Sequence, residues 1–297
     1  MPRPPETALG VDIGGTRVRA GVVTCAGHLL AHRDAPLPPE GEPAALRRLV
    51  AQLAHEVVST AGSKPTACGV ALPGVWDRRT GVMQRALNLP RLEGVQLHEL
   101  FRTAVGQAVF LETDVNAALW AQWHACDPRP ARLLYLSLGT GVGGAVLLDG
   151  RILRHTRGGA GHFGFLIVDT SPDAPRGRTS IPGCLSAIAA GPALHLAATG
   201  QSDFDAIGAE PLPEPVIARA ADALAVAFVH LVHIYAPEVI LLGGGVIDHH
   251  PELVTRSAAA LGRYQSVLIP PGLRIERAPL STHEAGVIGV ARLALGA

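Results

Sequence analysis

The stretch that decides the fold is Leu9-Gly-Val-Asp-Ile-Gly-Gly-Thr-Arg-Val-Arg-Ala-Gly-Val-Val23. Its apolar residues alternate on both sides of Gly14-Gly15, which predicts a strand, a tight turn and a second strand. The segment Leu133–Leu153 repeats this design, with a turn at Gly139–Gly144 and a return strand that ends at Asp149-Gly150. One such hairpin opens each half of the chain, so the sequence predicts two related α/β halves.

Further helices and strands are predicted around these hairpins. Helical spacing is found at 44–61, 95–105, 115–126, 215–235 and 284–295, and short apolar strands at 67–72, 108–111 and 239–242. The segments 33–43 and 169–183 are expected to be loops, and Asp127-Pro-Arg-Pro130 a linker. We expect a smaller N-terminal domain, residues 1–115, completed by the helix 284–297, and a larger C-terminal domain, residues 116–283.

Composition excludes several functional classes. The 297 residues are 48% hydrophobic, and 25 acidic residues balance 25 basic ones, so net charge does not favour nucleic acid or an anionic membrane as a partner. The only lysine, Lys64, precedes Pro65, which excludes a Walker A phosphate loop.

The cysteines and the apolar stretches bear on the compartment. The four cysteines are far apart, which indicates a reduced cytoplasmic protein, and the first residues lack the apolar run of a signal peptide. The longest apolar stretch, 223–236, is interrupted by His230 and His233 and is expected to be too short to span a membrane. We expect both histidines to be packed residues rather than metal ligands.

The glycine turns give the first functional signal. The string Gly139-Thr140-Gly141-Val142-Gly143-Gly144 continues as a strand and not as the helix that a dinucleotide fingerprint requires. Glycine N–H groups can nevertheless approach phosphate closely, because no Cβ intervenes. An ordinary tight turn is the alternative. A third glycine run, Gly243-Gly244-Gly245, follows a predicted strand and favours phosphate and nucleotide binding.

Two aspartates are the candidate catalytic and metal-binding groups. Asp12 directly precedes the first turn and can hold Mg²⁺ through water, although a turn-stabilising role is the alternative. Asp114 lies between a predicted strand and a predicted helix, where open α/β sheets place their sites. A helix N-cap is the alternative role for Asp114. The two roles are compatible, since a helix N-terminus keeps a catalytic carboxylate ionised.

The combination of short motifs resembles the ROK family of bacterial repressors, open reading frames and sugar kinases. The motifs, which match in order and spacing, are Asp12-Ile-Gly-Gly-Thr, Pro73-Gly74, Asn88-Leu-Pro, Asp114-Val-Asn116, Gly139-Thr-Gly-Val-Gly-Gly144, Gly158-Gly-Ala-Gly161, Gly183-Cys-Leu185, Leu242-Gly-Gly-Gly245 and Ala285-Gly-Val-Ile-Gly289. The resemblance implies the actin-like, ribonuclease-H-like ATPase fold, with two α/β domains and an intervening cleft. Because the first hairpin starts at residue 9, we expect a kinase-type member without the repressors' helix-turn-helix domain.

The resemblance also implies a role for each matched residue. It implies ATP-dependent phosphorylation of a hexose or amino-sugar hydroxyl, with Mg²⁺ bound alongside the phosphates, and a homodimer. Asp114 would be the catalytic base. The phosphate- and nucleotide-binding residues would be Asp12, Gly14, Gly15, Thr16, Gly139, Thr140, Gly141, Gly143, Gly144, Gly243, Gly244 and Gly245. The acceptor would be bound by Gly74, Asn88, Thr113, His162, Phe165 and Ser186.

Departures from the family pattern concern the acceptor and zinc. Thr113 stands where the family has Asn, the family's Glu-x-Gly-His reads His162-Phe-Gly-Phe165, and Ser186 replaces a sugar-binding Glu. Of three zinc cysteines only Cys184 is present, and His155 and His162 nearby do not complete the four ligands of a structural site, so no zinc is expected. We therefore expect a sugar kinase with an atypical acceptor pocket; the alternative is a catalytically weak sugar or nucleotide sensor.

Overall fold

The structure, a computed structural model, describes residues 6–154, 160–177, 180–203, 206, 209–264 and 269–296. The strands in it are β1 Thr7–Ile13, β2 Arg17–Thr24, β3 Leu29–Pro36, β4 Ala67–Leu72, β5 Val75–Trp76, β6 Met83–Arg85, β7 Phe110–Thr113, β8 Arg132–Leu138, β9 Val142–Leu148, β10 Arg151–Ile152, β11 Val239–Gly243 and β12 Arg274–Arg277. The α-helices are α1 Pro43–Ala61, α2 Leu97–Val105, α3 Asp114–Ala125, α4 Ser186–Ala189, α5 Gly191–Thr199, α6 Glu214–Tyr235, α7 Gly245–His249, α8 Glu252–Leu261 and α9 Thr282–Leu295.

The chain divides into two compact units. The first consists of Met1–Ala125, Arg154–Ala160 and His283–Ala297, and the second of Cys126–Leu153 and Gly161–Thr282. Helix α3 belongs wholly to the first unit, where it packs on β4 and β7. The division expected at residue 115 therefore falls inside a helix.

Both units are built on a five-stranded sheet of the same plan. The strand order is β3-β2-β1-β4-β7 in the first unit and β10-β9-β8-β11-β12 in the second. In each sheet three antiparallel strands are followed by two parallel ones. The repeat predicted from the two glycine-turned hairpins is thus confirmed.

Helix α1 illustrates how the local sequence forms these layers. The Glu42 carboxylate accepts the N–H groups of Ala44 and Ala45 and caps the helix, and Gly62 ends it in the left-handed conformation, φ 59°. Its apolar residues recur at helical spacing, and this buried stripe packs on β2 and β3. The helix predicted over 44–61 is confirmed.

The loop expected over residues 33–43 is wrong for its first four residues. Residues 33–36 belong to β3 and pair with β2, from Ala20 opposite Arg33 to Arg17 opposite Pro36. The sequence signal is weak because β3 is an edge strand with several exposed side chains, and a proline is tolerated at such an edge. The edge strand β12 was not predicted either, because its side chains are also partly exposed.

Helix α6 corrects a second expectation. It is long and apolar enough to cross a membrane by length and composition alone, so the expectation of too short a stretch is wrong. One side of the helix is buried in the core of the second unit, where Leu224, Phe228 and Leu231 pack. Such burial is typical of a core helix. His230 and His233, expected to be packed, are instead exposed.

Candidate active site

Asp114 is the first residue of α3 and directly follows β7. Because β7 runs parallel to β4, Asp114 lies at the carboxyl end of the parallel part of the sheet. The hydroxyl of Thr113 accepts the N–H of Asn116 at 3.3 Å, so the capping side chain of α3 is Thr113 and not Asp114. Asp114 Oδ1 accepts the N–H of the adjacent Val115 at 2.9 Å.

The electrostatics of Asp114 suit a proton acceptor. Burial, and secondly the neighbouring Asp12 carboxylate, raise the pKa of Asp114 from 3.8 to about 7. Burial also raises the pKa of Asp12, against the opposing effect of Arg19, whose Nη1 lies 3.5 Å from Asp12 Oδ2. A base is most effective when its pKa is near the working pH, and Asp114 meets that condition at neutral pH.

Helix α9 packs closely against β1, which carries Asp12, and against α3, which begins at Asp114. A Cβ built on Gly286 would lie 2.5 Å from Cγ of Asp12, and one built on Gly289 would lie 1.7 Å from the carbonyl oxygen of Ala117 in α3. Only glycine allows α9 to approach so closely. The glycines of the motif Ala285-Gly-Val-Ile-Gly289 therefore allow the helix to pack directly on β1 and α3.

Sequence reasoning missed a buried ionic cluster beside Asp114. Glu112 is fully buried on β7 and pairs with the guanidinium groups of Arg78 and Arg154. Its Oε1 also accepts the N–H of Thr113 at 2.9 Å and the side-chain amide of Asn116 at 3.0 Å. Burial alone would raise the pKa of Glu112, but the two arginines more than offset it and the pKa is lowered.

The buried ionic cluster holds the residues on both sides of Asp114. Glu112 binds the residue before Asp114 and the residue two positions after it, so it fixes the start of α3. Arg78 in turn lies over the ring of Trp76, 5.6 Å from its centroid. The one signal in the sequence is an acidic residue inside an otherwise apolar strand, Phe110-Leu-Glu-Thr113.

The two predicted phosphate turns have the expected local form. The N–H of Gly14 donates to the carbonyl of Arg17, and that of Gly139 donates to the carbonyl of Gly141, both at 2.9 Å. A Cβ built on Gly139 or Gly141 would meet no atom within 4 Å in the part of the chain that the structure describes, and neither residue has a positive φ. The fold of the unit therefore does not itself require glycine at these two positions.

Other predicted nucleotide-site glycines are explained by packing. A Cβ on Gly144 would lie 2.1 Å from the Phe163 ring, and one on Gly243 would lie 2.7 Å from the hydroxyl of Tyr135. Gly244 has φ 95° and approaches the carbonyl oxygen of Leu138. These three glycines have a structural reason whether or not they contact a ligand.

The predicted acceptor residues are divided between the units. In the first unit, Gly74 has φ 127°, which glycine alone adopts readily, and Asn88 is half-buried in a turn. In the second unit the rings of His162 and Phe165 are 5.7 Å apart and both side chains are exposed. The hydroxyl of Ser186 accepts the N–H of Val142 at 3.1 Å, next to the second glycine turn.

The described residues contain no group of three or more His, Cys, Asp or Glu side chains placed to hold a metal ion. Cys184 is buried and His162 is exposed, whereas the third zinc candidate of the sequence, His155, lies outside the described residues, as do Gly158 and Gly159. The absence of a structural zinc stays a prediction.

Comparison with known proteins identifies the family. The family model described as ROK family matches residues 8–297. A glucokinase from Thermotoga maritima is 30% identical, over 80% of this chain and 81% of its own length, and an N-acetylmannosamine kinase from Escherichia coli O157:H7 is 30% identical over 98% and 99%.

A solved structure of a sugar kinase has the same fold as this chain. The ROK family glucokinase from Streptomyces griseus, crystallised with glucose and AMPPNP, superposes with a TM-score of 0.77 at 25% identity and covers 98% of this chain and 100% of its own. The predicted actin-like ATPase fold is thereby confirmed. The chain belongs to the ROK family and is a carbohydrate kinase that uses ATP.

Proposed function

We propose that this kinase transfers the γ-phosphoryl group of ATP to a hydroxyl of a sugar or sugar-like acceptor, with Asp114 as the base. The acceptor oxygen forms a bond to the γ-phosphorus while the bond to the β–γ bridging oxygen breaks, and ADP leaves with that electron pair. The proton of the hydroxyl passes to the Asp114 carboxylate. The observation that carries the proposal is the placement of the Asp114 carboxylate at the carboxyl end of parallel strand β7, at the start of α3. The raised pKa of Asp114, about 7, suits the same role.

Asp12 is the residue of the first unit best suited to magnesium. Among the described residues its buried carboxylate has a single, long side-chain contact, to Arg19, and carboxylate oxygens are preferred Mg²⁺ ligands. Mg²⁺ is commonly held by one or two carboxylates together with substrate phosphates, so no larger cluster of side chains is needed. When bound, the ion would neutralise charge on the phosphates.

The glycine turns supply phosphate contacts that require no side chain. In the first unit these are the N–H groups of Gly14, Gly15 and Thr16, and in the second those of the turn from Gly139 to Gly141, with Gly143 beyond it. Gly245, at the start of α7, is proposed to lie near the adenosine with the two glycines before it. Phosphoryl transfer depends mainly on such positioning and on charge neutralisation.

The residues proposed to bind the acceptor include few groups that accept hydrogen bonds. The Thr113 hydroxyl caps α3 and the Ser186 hydroxyl accepts the Val142 N–H, so each has one of its two acceptor sites occupied by the backbone. His162 and Phe165 present a pair of rings. We propose that the preferred acceptor has an apolar portion, such as an N-acetyl group or a less polar polyol, and that plain glucose is turned over weakly.

A thermal-shift panel of hexoses, N-acetylated amino sugars and polyols, with and without MgATP, tests this function. A ligand that binds only the folded state raises its melting temperature. We expect a shift with MgATP and a larger one with MgATP and the true acceptor. Glucose turnover at about 1–100 s⁻¹, an ordinary kinase rate, would contradict the atypical pocket. Tight ATP binding without turnover of any sugar would favour a sensor instead.

A substitution at Gly141 tests the phosphate turn. Gly141→Val should leave the melting temperature almost unchanged, because a Cβ there has no atom of the described residues within 4 Å. It should weaken ATP binding by about tenfold or more, since the side chain would occupy the approach to the backbone N–H groups. Isothermal titration calorimetry measures the effect, with Gly141→Ala expected to lie between. Unaltered ATP affinity in folded Gly141→Val would remove the assignment.

The pKa of Asp114 predicts a pH profile. As a base, Asp114 must be ionised in the free enzyme, so kcat/KM should rise about tenfold per pH unit up to about pH 7 and level off above it. Initial rates from about pH 5 to about pH 9, with both MgATP and the acceptor well below saturation, give the profile of the free enzyme. A profile already flat from pH 5 upward would show that Asp114 titrates normally or takes no proton.

Two further properties follow from the resemblance and the composition. A homodimer is proposed from the family alone. A cytoplasmic location is proposed from the unbridged thiols, of which Cys68 and Cys184 are buried. Light scattering at micromolar protein would test the dimer.

A further inference from the structure

Arg19 is a charged group at the first glycine turn to which the sequence assigned no role. It lies on β2 directly opposite Asp12 on β1. Its Nη1 is 3.5 Å from Asp12 Oδ2, and a Cβ built on Gly14 would lie 3.7 Å from the same nitrogen. The guanidinium therefore lies beside both the Asp12 carboxylate and the backbone of the turn.

The hydrogen bonds of Arg19 are incomplete. Its side chain is only 13% exposed, and its Nε is buried without a hydrogen-bond partner among the described residues. The contact with Asp12 is at the outer limit of a hydrogen bond. Buried donors are almost always paired in folded proteins, so an unpaired one at a binding turn indicates an acceptor that arrives with a ligand.

A purely structural role as the partner of Asp12 explains less. Arg17 on the same strand forms a close ion pair, because its Nε donates directly to the Asp34 carboxylate. Within the described parts of the chain, Arg19 Nη1 makes a single long contact and Arg19 Nε has no hydrogen-bond partner. Its charge lowers the pKa of Asp12 but does not overcome the effect of burial.

We propose that Arg19 binds the terminal phosphate of ATP. The inference rests on the proposed phosphate-binding role of the turn from Gly14 to Thr16. A planar guanidinium suits the paired oxygens of a phosphate, and its fixed charge offsets the negative charge that gathers as the γ-phosphoryl group moves to the acceptor. In this proposal Arg19 binds the phosphates and Asp12 binds the metal ion.

The test compares two arginines of one strand. Dissociation constants for ATP, ADP and AMP with Mg²⁺, from titration calorimetry, and kcat are measured for the parent, Arg19→Gln, Arg19→Lys and Arg17→Gln. We expect Arg19→Gln to weaken ATP by about tenfold or more, ADP less and AMP little, and to lower kcat. Arg19→Lys keeps the charge and should be intermediate. Arg17→Gln loses only an exposed pair and should match the parent.

Three outcomes would overturn the inference. Equal affinities of Arg19→Gln and the parent for all three nucleotides, with only a lower melting temperature, would reduce Arg19 to a structural partner of Asp12. Equal weakening of ATP, ADP and AMP would exclude a contact specific to the terminal phosphate. If the parent itself binds no nucleotide, the proposed function fails first and the inference fails with it, which is distinguishable from the other two results.

Discussion

Asp114→Asn is expected to lower kcat by about 10²–10⁴-fold, the usual contribution of a general base, with little change in ATP affinity. The amide keeps the shape of the carboxylate but cannot take the proton of the acceptor hydroxyl. The structure removes the main ambiguity of this experiment, because the hydroxyl of Thr113 caps α3 and the cap survives the substitution. Steady-state kinetics and ATP titration of both proteins measure the two quantities.

The same variant has a predicted stability signature. Since the folded state raises the pKa of Asp114 from 3.8 to about 7, the ionised carboxylate is less favourable in the folded than in the unfolded chain. Ionisation of Asp114 therefore lowers the free energy of unfolding. This loss is absent below about pH 4 and complete above about pH 7. Asp114→Asn should therefore melt higher than the parent at pH 8 but not at pH 4. The exposed Asp173→Asn serves as the control and should change neither rate nor melting temperature.

A loss of rate without this gain in stability would mean that the environment of Asp114 differs from the one described. A gain in stability without a loss of rate would assign the base to another group. The two readouts therefore separate the electrostatic claim from the catalytic one.

Glu112→Gln is expected to lower the free energy of unfolding by about 3 kcal/mol. Breaking a buried ion pair by removing one partner costs about 3–5 kcal/mol, and the low end applies because Arg78 and Arg154 are partly exposed. The amide also loses acceptor capacity toward Thr113 and Asn116, so kcat should fall as well. Urea unfolding monitored by circular dichroism measures the stability.

The matched control is Glu99→Gln, which removes an exposed pair with Arg102 and should cost less than about 1 kcal/mol. The pKa of Glu112 is lowered in the folded state, so its contribution is present above the ordinary pKa and lost as pH falls through the lowered value. A cost no larger than that of the control would contradict the buried cluster.

The hairpins and the main helices were predictable because their signals are local. Alternation around Gly14-Gly15 and around the second glycine turn fixes strand, turn and strand within about twenty residues each. The position of Asp114 was predictable for the same reason, since an apolar strand followed by a polar helix start needs no tertiary information. Edge strands such as β3 were missed because their exposed residues lack the pattern of a buried strand.

The charged neighbours of the site could not be predicted from local pattern. Glu112 meets Arg78 and Arg154 only after the chain has folded, from positions 34 and 42 residues away. Arg19 alternates with the apolar residues Val18 and Ala20, and this pattern predicts that its side chain faces solvent. The pairing of β2 with β1 instead places Arg19 beside Asp12. Such contacts depend on the register of the sheet, which the sequence pattern of one strand does not contain.

The most direct measurement of the central claim is mass spectrometry of the acceptor panel after incubation with MgATP and either the parent or Asp114→Asn. The account predicts that the parent adds one phosphoryl group to at least one sugar or sugar-like alcohol, that N-acetylated or less polar acceptors are favoured over glucose, and that Asp114→Asn yields about 10²–10⁴-fold less product at equal time. Equal yields from the two proteins, or no phosphorylated acceptor from a parent that binds ATP, would contradict it.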